Sequence, residues 1–216
     1  MIKNTLRTAV LGALVAGPAL TAPLSASAEG LSANLGFMSD YYFRGTYQSS
    51  SAAMGGLDYE GASGIYLGTW IADVDKGIEY DIYGGWSGSF NDFNLGVGFT
   101  TYNYTDDFDD TYKELNLSVG YGPVTLDYAK GTYDNFDKPS LDYSFIAITG
   151  EYNGFYGTYG SFREDASGSY VEVGYGTEIG GFDTTISLIS NDSDLDKRTG
   201  TGETAAVFSI SKSFDL

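Results

Sequence analysis

Along most of the chain, apolar and polar residues take turns one for one. Ile78-Glu79-Tyr80-Asp81-Ile82-Tyr83 alternates apolar with acidic. Phe93, Leu95, Val97 and Phe99 alternate with Asn94, Gly96, Gly98 and Thr100. Leu115, Leu117, Val119 and Tyr121 do the same with Glu114, Asn116, Ser118 and Gly120, and Phe182 to Leu188 repeats the pattern. A period of two sends successive side chains to opposite faces of a strand. Blocks of this kind predict about twelve strands, roughly at 31–46, 50–60, 64–72, 77–87, 92–103, 111–121, 123–130, 141–152, 154–163, 168–178, 181–190 and 203–215. After Ala28 no apolar run is long enough for a membrane-spanning helix.

The connections separate a barrel from a soluble sandwich, which also alternates. One set is short, around Gly61-Ala62-Ser63, Gly88 to Asp92, Gly122-Pro123, Asn153-Gly154 and Gly180-Gly181. The alternate set is mostly longer and more polar, including Thr105 to Asp110, Gly131 to Ser140 and Asn191 to Gly202. Short turns on one side and longer loops on the other are the pattern of an outer-membrane barrel. Strands running toward a short turn end in an aromatic: Tyr59, Trp86, Tyr121, Tyr152 and Tyr175, with Phe214 closing the last strand. Phe93, Phe155 and Phe182 follow three of the turns. On the outward parity these form a girdle at the membrane interface, next to outer-membrane lipid. The expected fold is an all-β, antiparallel up-and-down transmembrane barrel.

The N-terminus reads differently. Lys3 and Arg7 precede the apolar stretch Thr8 to Leu20, and Ala26-Ser27-Ala28 follows as a small-x-small cleavage site. Those are the three regions of a secretory signal peptide, and the stretch is too short for a bilayer span. The expected division is a cleaved leader at 1–28 and a barrel at 29–216.

Charge and composition narrow the function. The whole chain carries a net charge of −18, and the leader holds two of its 11 cations against none of its 29 acids. Such a surface repels nucleic acid, whose phosphates need Lys and Arg. The 19 Tyr and 13 Phe argue against disorder, which avoids aromatics. There is no Cys and no His. That removes the thiolate nucleophile, the commonest general base and the commonest metal ligand. No residue is read as catalytic, and nothing implies a cofactor.

Opposite the apolar face sit Asp40, Arg44, Asp58, Glu79, Asp81, Glu114, Asp127, Glu151, Glu172 and Asp183, together with Gly36, Gly56, Gly96, Gly98, Gly120, Gly174 and Gly176. Charges face a wet lumen more cheaply than lipid. One reading is an acid-lined passive channel for small solutes or cations. The other is a filled, non-conducting barrel with a structural or surface-interaction role, in which the acids bond to Tyr, Ser and Arg44. A barrel of this size falls between filled eight-stranded and open sixteen-stranded ones. The oligomeric state is not written in the sequence.

Two acidic stretches offer clustered carboxylates to a metal ion. Asp192, Asp194, Asp196 and Glu203 stand at positions 1, 3, 5 and 12 of a calcium-loop pattern. Lys197 replaces the glycine that makes the sharp turn, and strands flank it instead of helices, so a solvated loop is the plainer expectation. Asp106-Asp107-Phe108-Asp109-Asp110 is a second acidic loop, expected to keep that end in water.

Ser32-Ala33-Asn34-Leu35-Gly36-Phe37-Met38-Ser39-Asp40-Tyr41-Tyr42-Phe43-Arg44-Gly45, followed by Gln48-Ser49, resembles the opening of the TorF family of porins. The similarity continues through Gly55 to Tyr59, Ser63 to Trp70 and Glu79 to Gly88. The resemblance implies an outer-membrane location and a porin label, and its pattern marks Asp40, Arg44, Asp58, Glu79 and Asp81. On the expected first strand, Asp40 and Arg44 lie near enough to interact, and Arg44 is expected to pair with inward acids and constrain the lumen.

Overall fold

The structure, a computed structural model, describes residues 30–216. The expected leader lies outside the described residues.

Twelve antiparallel strands close into one barrel: β1 Gly30–Phe43, β2 Thr46–Glu60, β3 Ile65–Asp73, β4 Ile78–Phe90, β5 Phe93–Tyr104, β6 Tyr112–Tyr121, β7 Val124–Tyr133, β8 Leu141–Tyr152, β9 Phe155–Glu164, β10 Ser169–Ile179, β11 Phe182–Asn191 and β12 Thr204–Asp215. Each strand pairs with its neighbours in sequence, and β12 closes onto β1 from Ser32 opposite Asp215 to Met38 opposite Ser209. Closure leaves no open sheet edge below that seam, the condition for β-structure in lipid. The expected barrel and strand number are both observed. β4 and β7 run three residues further than expected, because Ser89 and Phe90 still pair across the turn with Asn94 and Phe93, and Lys130 to Tyr133 with Leu141 to Ser144.

The short turns have local causes. Asn153-Gly154 and Gly180-Gly181 hold positive φ at both residues, 52° and 82°, and 63° and 82°. That geometry matches the twist of a tight hairpin and calls for Asn or Gly. The outer wall is apolar. Leu35, Leu67, Leu115 and Ile186 are each more than half exposed. At the short-turn end, Tyr59, Trp86, Tyr121, Tyr152, Tyr175 and Phe214 are exposed on that wall. Phe93 packs on Tyr121 at 5.0 Å and Phe155 on Tyr175 at 4.7 Å between ring centres. The Lys212 ammonium lies 5.0 Å from the Phe182 ring and 5.8 Å from the Phe214 ring. Its stem thus covers apolar surface while its charge meets aromatic faces.

One part of the chain leaves the wall. Above Met38, β1 no longer pairs with β12, and above Met54, β2 no longer pairs with β3. The two strands stay paired with each other as far as Phe43 opposite Thr46. This upper hairpin turns into the barrel. Its tip reaches β6 and β8, on either side of β7, the strand diametrically opposite β1.

Candidate functional site: a lumen crossed by a hairpin

The hairpin tip is Arg44-Gly45, with φ of 47° and 85°. The expectation of a first strand running to residue 46, with Arg44 on its inward parity, is therefore corrected. Arg44 is a turn residue in a left-handed backbone, strained for a long side chain. Its side chain explains why that conformation persists. Nη1 and Nη2 donate to the two oxygens of Glu114 on β6 at 2.6 and 3.0 Å. The partner is Glu114 and not Asp40, because the turn aims the guanidinium across the lumen. Glu114 also accepts from the Tyr143 hydroxyl at 2.8 Å, the Asn116 amide at 2.8 Å and the Tyr102 hydroxyl at 3.1 Å. The guanidinium lies 4.3 Å from the Phe145 ring and 4.9 Å from Phe43. Both charges are buried. Such a pair owes its value to complete bonding, and loss of one partner costs about 3–5 kcal/mol.

Gly45 sits against the far wall. A Cβ there would lie 2.7 Å from Tyr170 Cβ and 2.9 Å from a Leu195 methyl. Its carbonyl accepts from the Asn191 amide at 2.6 Å. The loop between β11 and β12 holds the same hairpin from above: Tyr42 donates to Glu203 at 2.8 Å, and Arg198 stacks 3.9 Å from the Tyr47 ring.

A register shift between Tyr41 and Tyr42 re-aims successive side chains. Consequently each face of the hairpin has its own apolar cluster. Tyr41 joins Met38, Ala52, Met54, Trp70, Ala72 and Val74 on the β3–β5 side. Tyr42 joins Ala129, Phe145, Ala147, Tyr170, Ile189 and Leu195 on the β7–β12 side. The upper lumen is thus packed like a small core.

The inward acids fall into distinct environments. On the β3–β5 side, Glu79 and Asp81 have no exposed surface. Tyr41 donates to Glu79 Oε1 at 3.0 Å, whereas Glu79 Oε2 and both oxygens of Asp81 meet no donor. On the other side, Asp40 and Glu172 line a water-sized pocket with Met38, Tyr42, Thr185 and Ser187. Glu172 accepts from the Tyr156 hydroxyl at 2.6 Å. Below the hairpin, Asp58 accepts from Asn34 at 3.2 Å and from the Tyr83 hydroxyl. Asp127 is half-buried on β7 with one oxygen unmet, and Asp183 is half-buried at the short-turn end of β11. The structure thus brings Arg44 to Glu114 and Asp40 to Glu172, and leaves Asp58, Asp127 and Asp183 apart.

The acidic loop at 192–203 closes on itself. Asp192 accepts from the Ser169 amide at 2.7 Å, and Asp196 accepts from the amides of Arg198 and Thr199 at 3.0 Å each. The Thr199 hydroxyl and those amides hold the Asp196 carboxyl far below the ordinary aspartate range. Glu203 faces Arg198 and Tyr42. Asp192, Asp196 and Glu203 point at separate protein donors, and among the described residues no group of three or more acids is placed to hold a metal ion.

Tyr102, Asn116, Tyr143 and Phe145, which receive the hairpin tip, were not singled out in the sequence. The one available signal was Tyr41-Tyr42-Phe43, an aromatic run that breaks the alternation just before Arg44.

The fold has solved counterparts. KdgM porin superposes with a TM-score of 0.57 at 8% identity, covering 86% of this chain and 99% of that one. KdgM porin in complex with disordered oligogalacturonate gives a TM-score of 0.56 at 8% identity, with the same coverage. Pseudomonas aeruginosa OccK2 in complex with glucuronate gives a TM-score of 0.42 at 15% identity, covering 83% and 61%. No curated protein matches the sequence. The architecture, a closed antiparallel barrel with an apolar outer belt, is similar to that of KdgM porin. The profile of a bacterial family of unknown function, Gcw_chp, spans residues 22–214, and the chain belongs to that family.

Proposed function

We propose that the protein is a narrow outer-membrane channel for small solutes that favours cations, exported by the leader at 1–28. The observation that carries this is the pocket beside the hairpin. It is water-sized, and Asp40 and Glu172 face it with the hydroxyls of Thr185, Ser187 and Ser209. Carboxylates and hydroxyls around a restricted space replace part of a small cation's hydration and repel anions. Arg44, at the hairpin tip inside the lumen, is neutralised by Glu114, so it does not reverse that sign. The exposed aromatics from Tyr59 to Phe214 read as the girdle at the lipid interface. The role is transport rather than catalysis.

A second reading, a filled barrel that conducts nothing, draws on the depth of the hairpin's burial. Reversal potential across a planar bilayer under a salt gradient separates the two. The refolded protein is expected to pass small discrete currents that favour cations, with less selectivity in Asp40→Asn/Glu172→Gln. Silence from protein shown to be folded and inserted would establish the filled barrel instead. Anion selectivity would refute the role given to these two acids.

A further inference from the structure

Glu79 and Asp81 stand two residues apart on β4 and so share its inward face. Their neighbours across the sheet are Ala72 and Trp70 on β3, and Tyr104 and Tyr102 on β5. Tyr41 of the hairpin covers them, its ring 5.6 Å from Trp70. Both residues are fully buried, and three of their four carboxyl oxygens receive no hydrogen bond from the protein. Among the described residues no Lys or Arg forms an ion pair with either, and Arg44 at the hairpin tip is taken up by Glu114. A buried carboxylate in apolar surroundings is paired, neutralised or coordinated to a metal. Two of them side by side, beneath Tyr41, have no cationic side chain to balance their charge.

We infer that Glu79 and Asp81 bind one divalent cation of the hard, oxygen-seeking kind, such as calcium, on the inward face of β4 beneath Tyr41. Two carboxylates balance the charge of one such ion. Glu79 and Asp81 share the inward face of β4, and calcium accepts carboxylates in one- or two-oxygen modes with carbonyls and water completing its shell. The Tyr41 hydroxyl, donating to Glu79 Oε1, fixes the orientation of that carboxylate as an outer partner does in metal sites. The site is separate from the acid-lined pocket on the opposite face of the hairpin, so it stands whether or not the barrel conducts. The bound ion would balance the two charges buried beneath the hairpin and so stabilise the folded barrel.

The test uses the refolded protein in detergent, stripped with a chelator and titrated with calcium chloride. Calorimetry reads stoichiometry, and the heat-denaturation midpoint reads linkage to folding. The wild type is expected to take up one calcium per chain and to melt at higher temperature with it. Asp81→Asn weakens that uptake and Glu79→Gln/Asp81→Asn abolishes it, each protein being checked for the mobility of a folded barrel on a gel. Asp106→Asn/Asp107→Asn, in an exposed loop, keeps it. The proposal is overturned if the folded wild type takes up no calcium, which would leave the pair sharing a proton. It is also overturned if Asp81→Asn binds as the wild type does.

Discussion

The two ends of this barrel use their interior in opposite ways. At the short-turn end inward glycines such as Gly98, Gly120 and Gly174 alternate with apolar outward neighbours, and single tyrosines fold over some of them: Tyr66 over Gly98 and Tyr156 over Gly174. At the other end the inward positions are Tyr41, Tyr102, Tyr143, Phe145 and Tyr170, all buried. The wall is the same twelve-stranded sheet throughout. The difference comes from the β1–β2 hairpin, which leaves the wall and crosses the lumen, so that two aromatic clusters fill the upper interior. Barrel size therefore does not set the bore of this protein. A single re-aimed hairpin does, and its position depends on a few contacts at its tip.

That contrast can be tested from the strongest contact downward. Arg44→Ala leaves Glu114 buried without its charge partner. It is expected to cost about 3–5 kcal/mol in urea unfolding and to free the tip. Pairing the loss with Glu114→Gln should recover part of it, since the orphaned charge is then gone. Next comes Gly45→Ala, where a methyl would meet Tyr170 at 2.7 Å in a left-handed backbone. An expected loss of about 1–3 kcal/mol would appear in the same unfolding curves. Gly120→Ala is the matching change at the other end, where the nearest atom to a new Cβ is 3.4 Å away. Its effect should stay within about 0.5 kcal/mol, and a large destabilisation would mean that the lower interior is packed as well. The smallest effect concerns the loop over the hairpin. A depressed Asp196 value in the folded loop contributes order that is complete above the ordinary aspartate value of 3.8 and lost only as pH falls through the lower folded one. Hydrogen exchange of residues 192–203 should therefore stay slow on acidification toward 3.8, whereas Asp196→Asn should exchange faster throughout.

Much of this was legible in the sequence because a membrane barrel writes two faces into every strand. Alternation such as Leu115 to Tyr121 gave the strands, and Asn153-Gly154 and Gly180-Gly181 gave the turns. The unequal connections marked which end of the barrel holds the short turns. The site was legible only in part. Parity put Glu79, Asp81 and Glu114 inside, but parity is local and cannot say which inward residue meets which across the lumen. The departure of the hairpin from the wall depends on Arg44 finding Glu114, 70 residues away in sequence. The change of hand at Arg44 was hidden for the same reason. An Arg in a left-handed turn is unexpected until its tertiary partner is known.

Single-channel current through the wild type and through Arg44→Ala, in the same bilayer and salt, tests the central claim most directly. With the hairpin closing the upper lumen, the wild type passes small steps and the variant passes clearly larger ones, since loss of the Arg44–Glu114 contact frees the tip. Equal step sizes from two proteins shown to be folded and inserted would contradict the claim that the hairpin, held by Arg44 and Glu114, sets the bore.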